Sequence, residues 1–479
     1  MAKEKEFVRD IADINEDFPQ WYTDVVIKTG LVDYGPTKGT MVIRPYGYGI
    51  WENIQRQLDE RIKATGHENA YFPMLIPYSF LLKEADHVEG FAPEVFLVSS
   101  VGEEELSEKL VVRPTSETII CSMYSKWIQS YRDLPMLINQ WANVMRAEKT
   151  TRPFLRTSEF LWQEGHTVHA TEEEAQEETI KMLNVYAEFA KNVLAIPMLK
   201  GRKTEREKFA GALATYSIEA MMHDGKSLQA GTSHNFGQKF AKAFDIKFLD
   251  KDGTHKTPYQ TSWGVTTRLI GAIIMVHGDE RGLCLPPYVA PIQVAVVPIA
   301  MHKEGVTKKV TAIADKLKKA GLRVKLDLSD NSPGWKFNEY EMKGVPVRLE
   351  IGPRDLENGV ATVVRRDKLG EKTTLPLKDI AKSLKTLLQD IHDNMYKKAE
   401  ANLNSRIRVV SNMEELENAV NDGCFGLTMW CGDEACEAAI KEKMQATSRN
   451  MPFDQTPVGD KCVCCGKEAK YKIYFARAY

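Results

Sequence analysis

The stretch NVMRAEKTTRPFLRTSEFLWQEGHTVH, residues 143–169, decides the reading of this chain. It has an extended pattern on either side of a proline-containing loop. Phe160 and Trp162 alternate with Glu159, Leu161 and Gln163 at strand period, so one face of the strand is aromatic. Arg146, Glu148, Arg152 and Arg156 crowd into the turn region. Guanidinium groups so placed suit a polyanion such as a nucleoside triphosphate. An amphipathic hairpin with exposed ion pairs would give the same local pattern, so the rest of the chain has to decide.

Working outward, two further clusters interrupt apolar strands with polar residues. RPTSET (113–118) lies upstream. SLQAGTSHNFGQ (227–238) lies downstream and is followed by YQTSWGVTTRLIGAIIMVHGDERGL (259–283). In the last of these, Arg268 stands just before an apolar helix reading from Leu269 to Val276. A cation at a helix start opposes the helix dipole, which points to a ligand phosphate as the balancing charge. No Walker loop or GxGxxG occurs, so a nucleotide site here is neither P-loop nor Rossmann.

The flanking elements follow from hydrophobic period. Ile50, Trp51, Ile54 and Leu58 share a helix face, with Gly66 at its stop; ENAYFPMLIP (68–77) reads as one strand closed by Pro77. A long helix begins near Thr171, with Glu174 at capping-box spacing and Leu183, Tyr186, Phe189 and Val193 as its stripe. The proline-rich LCLPPYVAP (283–291) marks a linker. Beyond it strands and helices alternate: IQVAVVPI, a helix with Val310, Ile313, Ala314 and Leu317, RVKLDL, a helix opened by Ser332-Pro333, VPVRLEIG, ATVVRR, and a helix from about Leu377. Three units result: 1–285, 286–400 and 401–479, as expected for 479 residues at roughly 150 per domain.

Six of the eight cysteines, Cys424, Cys431, Cys436, Cys462, Cys464 and Cys465, fall in the last unit. Cys431-x4-Cys436 and Cys462-x2-Cys465 form two knuckles, and four thiolates suit a closed structural Zn²⁺ site. Cys464 is the alternative fourth ligand; Cys465, followed by Gly466, fits the knuckle better. Trp430 and Cys424 read as packing residues. The 64 basic and 66 acidic residues exclude a globally basic nucleic-acid coat, though not a local patch. No apolar run approaches the ~20 residues of a membrane span, and the N-terminus MAKEKEFVRD has no apolar stretch. The expectation is a cytoplasmic protein without membrane association.

These motifs together resemble the prolyl-tRNA synthetases, in the form found in archaea, eukaryotes and some bacteria, over essentially the whole chain. FLRTSEFLWQEGH resembles the family's class II motif 2 and SWGVTTRLIG its motif 3. RPTSE and GTSH resemble its proline-binding segments, and GRKTEREKFAGA (201–212) its substrate-covering loop. The middle unit resembles the anticodon-binding domain of class IIa, and the cysteine unit, with terminal Tyr479, the zinc domain of this form. The resemblance implies an α/β (α+β) fold: a class II antiparallel sheet with flanking helices, an α/β anticodon-binding domain and a small C-terminal zinc-binding α/β domain. It also implies a homodimer through motif 1, around Pro73 and Pro77, which is weak here.

The implied reaction joins L-proline to tRNA(Pro) through prolyl-adenylate, with Mg²⁺ accompanying ATP. Arg156 and Arg268 carry over as the catalytic arginines, on the α- and γ-phosphates. Arg146, Glu148, Thr157, Phe160, Gln229, Thr232 and Thr266 carry over to the nucleotide shell, with Glu148 and Gln229 near the metal and Phe160 on adenine. Thr115 and Glu117 carry over to the proline ammonium and Arg146 to its carboxylate. Trp162, Glu164, His166, Phe209 and His234 would surround the ring. In 334–355, Glu341, Arg348 and Arg354 are candidates for anticodon bases. The segment from His166 to Gly264 is too short for the editing insertion of most bacterial prolyl enzymes, so editing in cis is not expected. A threonyl, glycyl or histidyl relative would carry other pocket residues than RPTSE with GTSH. A non-catalytic paralogue would usually lack one of the motif arginines, and Arg146, Arg156 and Arg268 are all present.

Overall fold

The structure is a computed structural model that describes residues 11–85 and 94–479. The N-terminal MAKEKEFVRD segment lies outside the described residues. The 143–169 stretch folds as its alternation requires. Strands Met136–Met145 and Glu159–His169 pair antiparallel, with Met145 opposite Glu159. They belong to an eight-stranded sheet in the order Met451–Pro452, Leu199–Arg202, Ala214–Met221, Ser227–Gly237, Tyr259–Thr266, Glu159–His169, Met136–Met145, Glu68–Asn69. Every pair is antiparallel except the last.

One face of this sheet is covered by helix Glu172–Leu194, whose Met182, Leu183, Tyr186, Phe189 and Val193 are fully buried. Each such side chain contributes about 1.5–3 kcal/mol by leaving water. Thr171 caps this helix: its hydroxyl accepts from the Glu174 amide at 3.2 Å, and the Glu174 carboxylate accepts in return from the Ala170 amide at 3.1 Å. Helices Pro45–Ala64 and Arg268–His277 add Ile50, Trp51, Ile54, Ile270 and Ile273 to the same core. The helix of the third motif includes Arg268 as its first residue, rather than starting after it.

ENAYFPMLIP is not one strand. Glu68–Asn69 joins the large sheet, whereas Leu75–Pro77 joins a three-stranded sheet with Leu97–Val101 and Glu104–Val112. Pro73, which has no N–H to donate to a ladder, lies in the break.

A five-stranded sheet follows the proline linker. Its order is Val324–Leu326, Val294–Pro298, Val347–Ile351, Val360–Arg365, Lys372–Pro376, the first three parallel and the rest antiparallel. Helix Ile380–Ser405 packs on it and runs past residue 400. A four-stranded sheet, Ile407–Val409, Phe425–Trp430, Tyr471–Ala476, Thr447–Ser448, holds the cysteine region.

The C-terminal region does not stand apart. Met451–Pro452 pairs with Leu199–Arg202 and so closes one edge of the large sheet. A Cβ on Gly201 would stand 2.2 Å from the Met451 carbonyl oxygen, so only glycine permits this approach. At the other joint, the Arg366 guanidinium donates two bonds to the Asp279 carboxylate, at 2.6 and 2.7 Å. Among the described residues no helix is long and apolar enough to cross a membrane.

Candidate active site

Four neighbouring strands of the large sheet, Glu159–His169, Tyr259–Thr266, Ser227–Gly237 and Ala214–Met221, line one cavity of 430 Å³. Strand alternation sends Phe160, Trp162 and Glu164 into it, while Gln163 points to the helix side, 2.5 Å from the Tyr186 hydroxyl. Gly165 lets the central strands pack, because a Cβ there would fall 2.1 Å from the Trp263 ring.

One end of the cavity is cationic. The loop after Met145 is closed by reciprocal backbone bonds between Arg152 and Arg156, at 2.7 and 2.9 Å. This turn presents the Arg156 side chain, 57% exposed and loosely held by Glu148 at 3.5 Å. Arg268 donates to main-chain oxygens only, those of Leu155 at 3.3 and 3.4 Å and of Gln229 at 3.2 Å. Burial, followed by the nearby Arg156 and Arg146 charges, pulls the Arg268 guanidinium below its usual pKa. Arg146 lies over the rings of Phe160 and Trp162, at 5.4 and 5.6 Å. Thr266 accepts from the Arg268 amide at 3.0 Å, Thr157 donates to the Glu159 carbonyl at 2.7 Å, and Thr232 lines the wall beside them. Three guanidiniums share this end with the Glu148 carboxylate, so a polyanion fits it.

The other end is acidic and aromatic. Thr115 donates to the Glu117 carboxylate, and both residues are buried. Arg146 sits at the boundary between the two ends, donating to the Pro114 carbonyl at 2.9 Å. Beneath, Glu164 accepts from the Ser116 hydroxyl at 2.6 Å and the Gln140 amide at 2.8 Å, and it pairs with His166 at 2.8 Å. Burial works to raise the Glu164 carboxyl, but these partners outweigh it and hold the group ionised. Burial likewise opposes charge on His166, yet the Glu164 carboxylate lifts its pKa above the usual value. His166 does not line the cavity; it stands behind Glu164 and acts on the cavity through it. His234 is pushed down to about 3 by burial and by the His166 charge, and so stays neutral. Its Nδ1 is 2.9 Å from the Thr215 hydroxyl, and the Phe209 ring packs against it, tilted by 43° with centroids 4.9 Å apart. The pocket therefore offers an anion for an ammonium, a guanidinium for a carboxylate, and rings for an apolar body.

Far along the chain, Cys431, Cys436, Cys462 and Cys465 bring four sulfurs within 4.8 Å of one another. Cys431 and Cys436 are 3.7 Å apart, and Cys465 is 3.8 Å from Cys431. A tetrahedron of sulfurs at 2.3 Å from a metal has edges of about 3.8 Å. Cys464 lies outside the quartet, while Cys424 and Trp430 are buried in the core of this unit.

Comparisons with known proteins agree with this layout. Residues 96–277 match the family described as tRNA synthetase class II core domain (G, H, P, S and T). Residues 293–387 match an anticodon binding domain, and 413–479 match the description prolyl-tRNA synthetase, C-terminal. A proline–tRNA ligase of Alkaliphilus oremlandii is 60% identical over 480 residues, covering 100% of this chain and 99% of that relative. One from Acetoanaerobium sticklandii is also 60% identical, over 479 residues (100% of this chain, 99% of the relative), and one from Ruminiclostridium cellulolyticum is 58% identical over 480 residues, all of both chains. The chain belongs to the proline–tRNA ligase family.

In this member of the proline–tRNA ligase family the candidate base-reading residues are not alike. Glu341 pairs with Arg281 at 3.2 Å, at the joint with the class II core. Arg348 is buried, paired with Glu350 at 3.0 Å and lying over the Phe337 ring at 4.3 Å. Arg354 is exposed at the start of helix Pro353–Asn358. Sequence reading passed over Ser116 and Gln140, which hold Glu164, and Glu207 and Lys208, which line the cavity beside Phe209. The last two stand in the quoted 201–212 loop, where only Phe209 was singled out, and Ser116 stands in the quoted RPTSET, where only Thr115 and Glu117 were; Gln140 has no local pattern to mark it.

Proposed function

We propose that the protein is a proline–tRNA ligase: it condenses L-proline with ATP to prolyl-adenylate and pyrophosphate, then transfers the prolyl group to the 3′ end of tRNA(Pro). One observation carries this reading. A single cavity joins an end with three guanidiniums to an acidic, ring-lined end, and Arg146 stands between them. ATP and a small zwitterionic amino acid with an apolar side chain are the substrates such a cavity accepts side by side.

The proline ammonium is bound by Glu117 and Thr115, and its carboxylate by Arg146. Trp162, Phe209 and His234 enclose the ring, with Glu164 and His166 fixing the floor. A neutral His234 adds no charge against the apolar ring. Phe160 stacks on adenine, Thr157, Thr232 and Thr266 border the nucleotide, and Arg268 holds the terminal phosphate. Arg156 swings from Glu148 onto the α-phosphate, where it meets the charge that develops as the proline carboxylate attacks. Glu148 and Gln229, which line this end of the cavity, would hold the Mg²⁺ that accompanies ATP and neutralises phosphate charge. The cysteine quartet fits one Zn²⁺ in donor softness and in spacing; with four protein ligands such a site is structural. Arg354, the exposed one of the three candidates, serves the anticodon, and a homodimer forms over the exposed Tyr71, Met74, Leu75 and Leu97.

The test is amino-acid-dependent exchange of pyrophosphate into ATP, run with each amino acid. Proline should support the fastest exchange. Faster exchange with threonine or glycine would overturn the reading.

A further inference from the structure

The loop that closes the amino-acid end is anchored from outside the class II core. It leaves strand Leu199–Arg202 and returns as strand Ala214–Met221. Its tip delivers Glu207, Lys208 and Phe209 to the cavity. Its root is Thr204, whose carbonyl accepts from the Glu207 and Lys208 amides at 3.2 and 3.0 Å and so begins the turn that ends in Phe209.

The Thr204 side chain is bound by the C-terminal unit. Its hydroxyl donates to Glu437 Oε1 at 2.8 Å and is 3.3 Å from the Ser448 hydroxyl, which itself donates to the same Glu437 oxygen. Glu437, Thr204 and Ser448 are all at most 3% exposed. Beside them, Lys203 and Arg449 grip the two oxygens of the fully buried Glu219, at 3.1 and 2.8 Å. Phe453 stacks on Tyr216 at 5.9 Å. Glu437 directly follows Cys436 in helix Glu434–Met444.

We propose that Glu437 is a positioning residue for substrate binding: by fixing the Thr204 hydroxyl it sets the turn that holds Phe209 over the amino-acid pocket. Glu437 touches no substrate. It acts on the enclosure of the proline ring through four residues of loop, and so on amino-acid affinity rather than on the phosphates. The inference rests on the proposed activity for its kinetic readout only.

The experiment compares Thr204→Val and Thr204→Ser with Glu437→Ala and Glu437→Gln in the full chain. Valine and alanine remove the hydrogen bond; serine and glutamine keep its donor and its acceptor oxygen. In pyrophosphate exchange, Thr204→Val and Glu437→Ala should each raise the KM for proline about tenfold, with kcat and the KM for ATP within about twofold of wild type. The double variant should be no worse than the poorer single, because both remove one contact. Thr204→Ser and Glu437→Gln should behave as wild type. Amide hydrogen exchange of peptide 203–213, without any substrate, should quicken in the valine and alanine variants and not in the other two. An unchanged proline KM with unchanged exchange in Thr204→Val, or additive effects in the double variant, would overturn the proposal. If Glu437→Ala does not fold, Thr204→Val decides alone. If wild type favours another amino acid, the proposed activity fails, and the amide exchange still judges the loop anchor.

Discussion

Arg268 is half-buried at the start of a helix, facing carbonyls and two other guanidiniums. Three bonds to main-chain oxygens and the Glu219 charge favour that placement, but helix dipole, burial and like charge oppose it. It makes sense as stability given up for phosphate binding. Arg268→Met keeps the bulk and removes the charge. Its melting temperature should equal or exceed that of wild type, while pyrophosphate exchange falls about 10²-fold or more. A loss of several degrees would mean that the guanidinium mainly ties Leu155 to Gln229. Arg156 differs in being exposed, so Arg156→Ala should leave the melting temperature unchanged and cost exchange on the same scale. Near-normal turnover in that variant would remove Arg156 from the mechanism. Such arginines are legible in a sequence because each breaks an apolar pattern or stands at a helix start. Gln140 is not, because its importance lies in meeting Glu164 across the sheet, and Ser116, though inside RPTSET, is tied to Glu164 only by the fold.

Among the elements, those with a long period were readable: the Glu159–His169 strand, the Glu172–Leu194 helix and the alternation after residue 291. Strands of two residues have no period, which is why the splitting of 68–77 and the Met451–Pro452 edge strand could not be read. The cysteine knuckles were readable from spacing, and Cys-x2-Cys followed by Gly466 favours Cys465 over the adjacent Cys464. In the fold the Cys465 sulfur joins Cys431, Cys436 and Cys462 within 4.8 Å, and Cys464 is not in that quartet. Cys465→Ser should therefore lose the single zinc and lower the unfolding temperature of the C-terminal unit. Cys464→Ser should keep both. Metal analysis of the two purified proteins checks this, and full zinc in Cys465→Ser would transfer the ligand role to Cys464.

Over the whole molecule, the buried histidines set how the fold responds to acid. His169 is buried at the end of the central strand, and burial, partly offset by Glu178 and Glu174, pushes its pKa down to about 4 from 6.5. Between those values the unfolded chain binds a proton that the folded chain refuses, so stability falls as pH drops from 6.5 towards 4. His234, at about 3, acts in the same direction. Glu219 comes later on the acid limb. Burial works to raise its carboxyl, but Lys203 and Arg449 hold it at about 2, so its contribution is complete above 4.5 and lost only below. His166 runs the other way: its raised pKa gives stability that is complete below 6.5 and lost as pH rises through its folded value. Acid destabilisation should therefore begin with the neutral histidines, before the Glu219 carboxylate is protonated. His169→Gln removes one of these protons and keeps a polar group near Thr167, whose hydroxyl is 2.8 Å from the His169 ring. Measured by urea unfolding, its loss of stability between pH 7.5 and pH 5 should be smaller than that of wild type by about 2 kcal/mol, the cost of one proton over some 1.5 pH units. Equal losses in the two proteins would show that His169 is already protonated in the fold at pH 5.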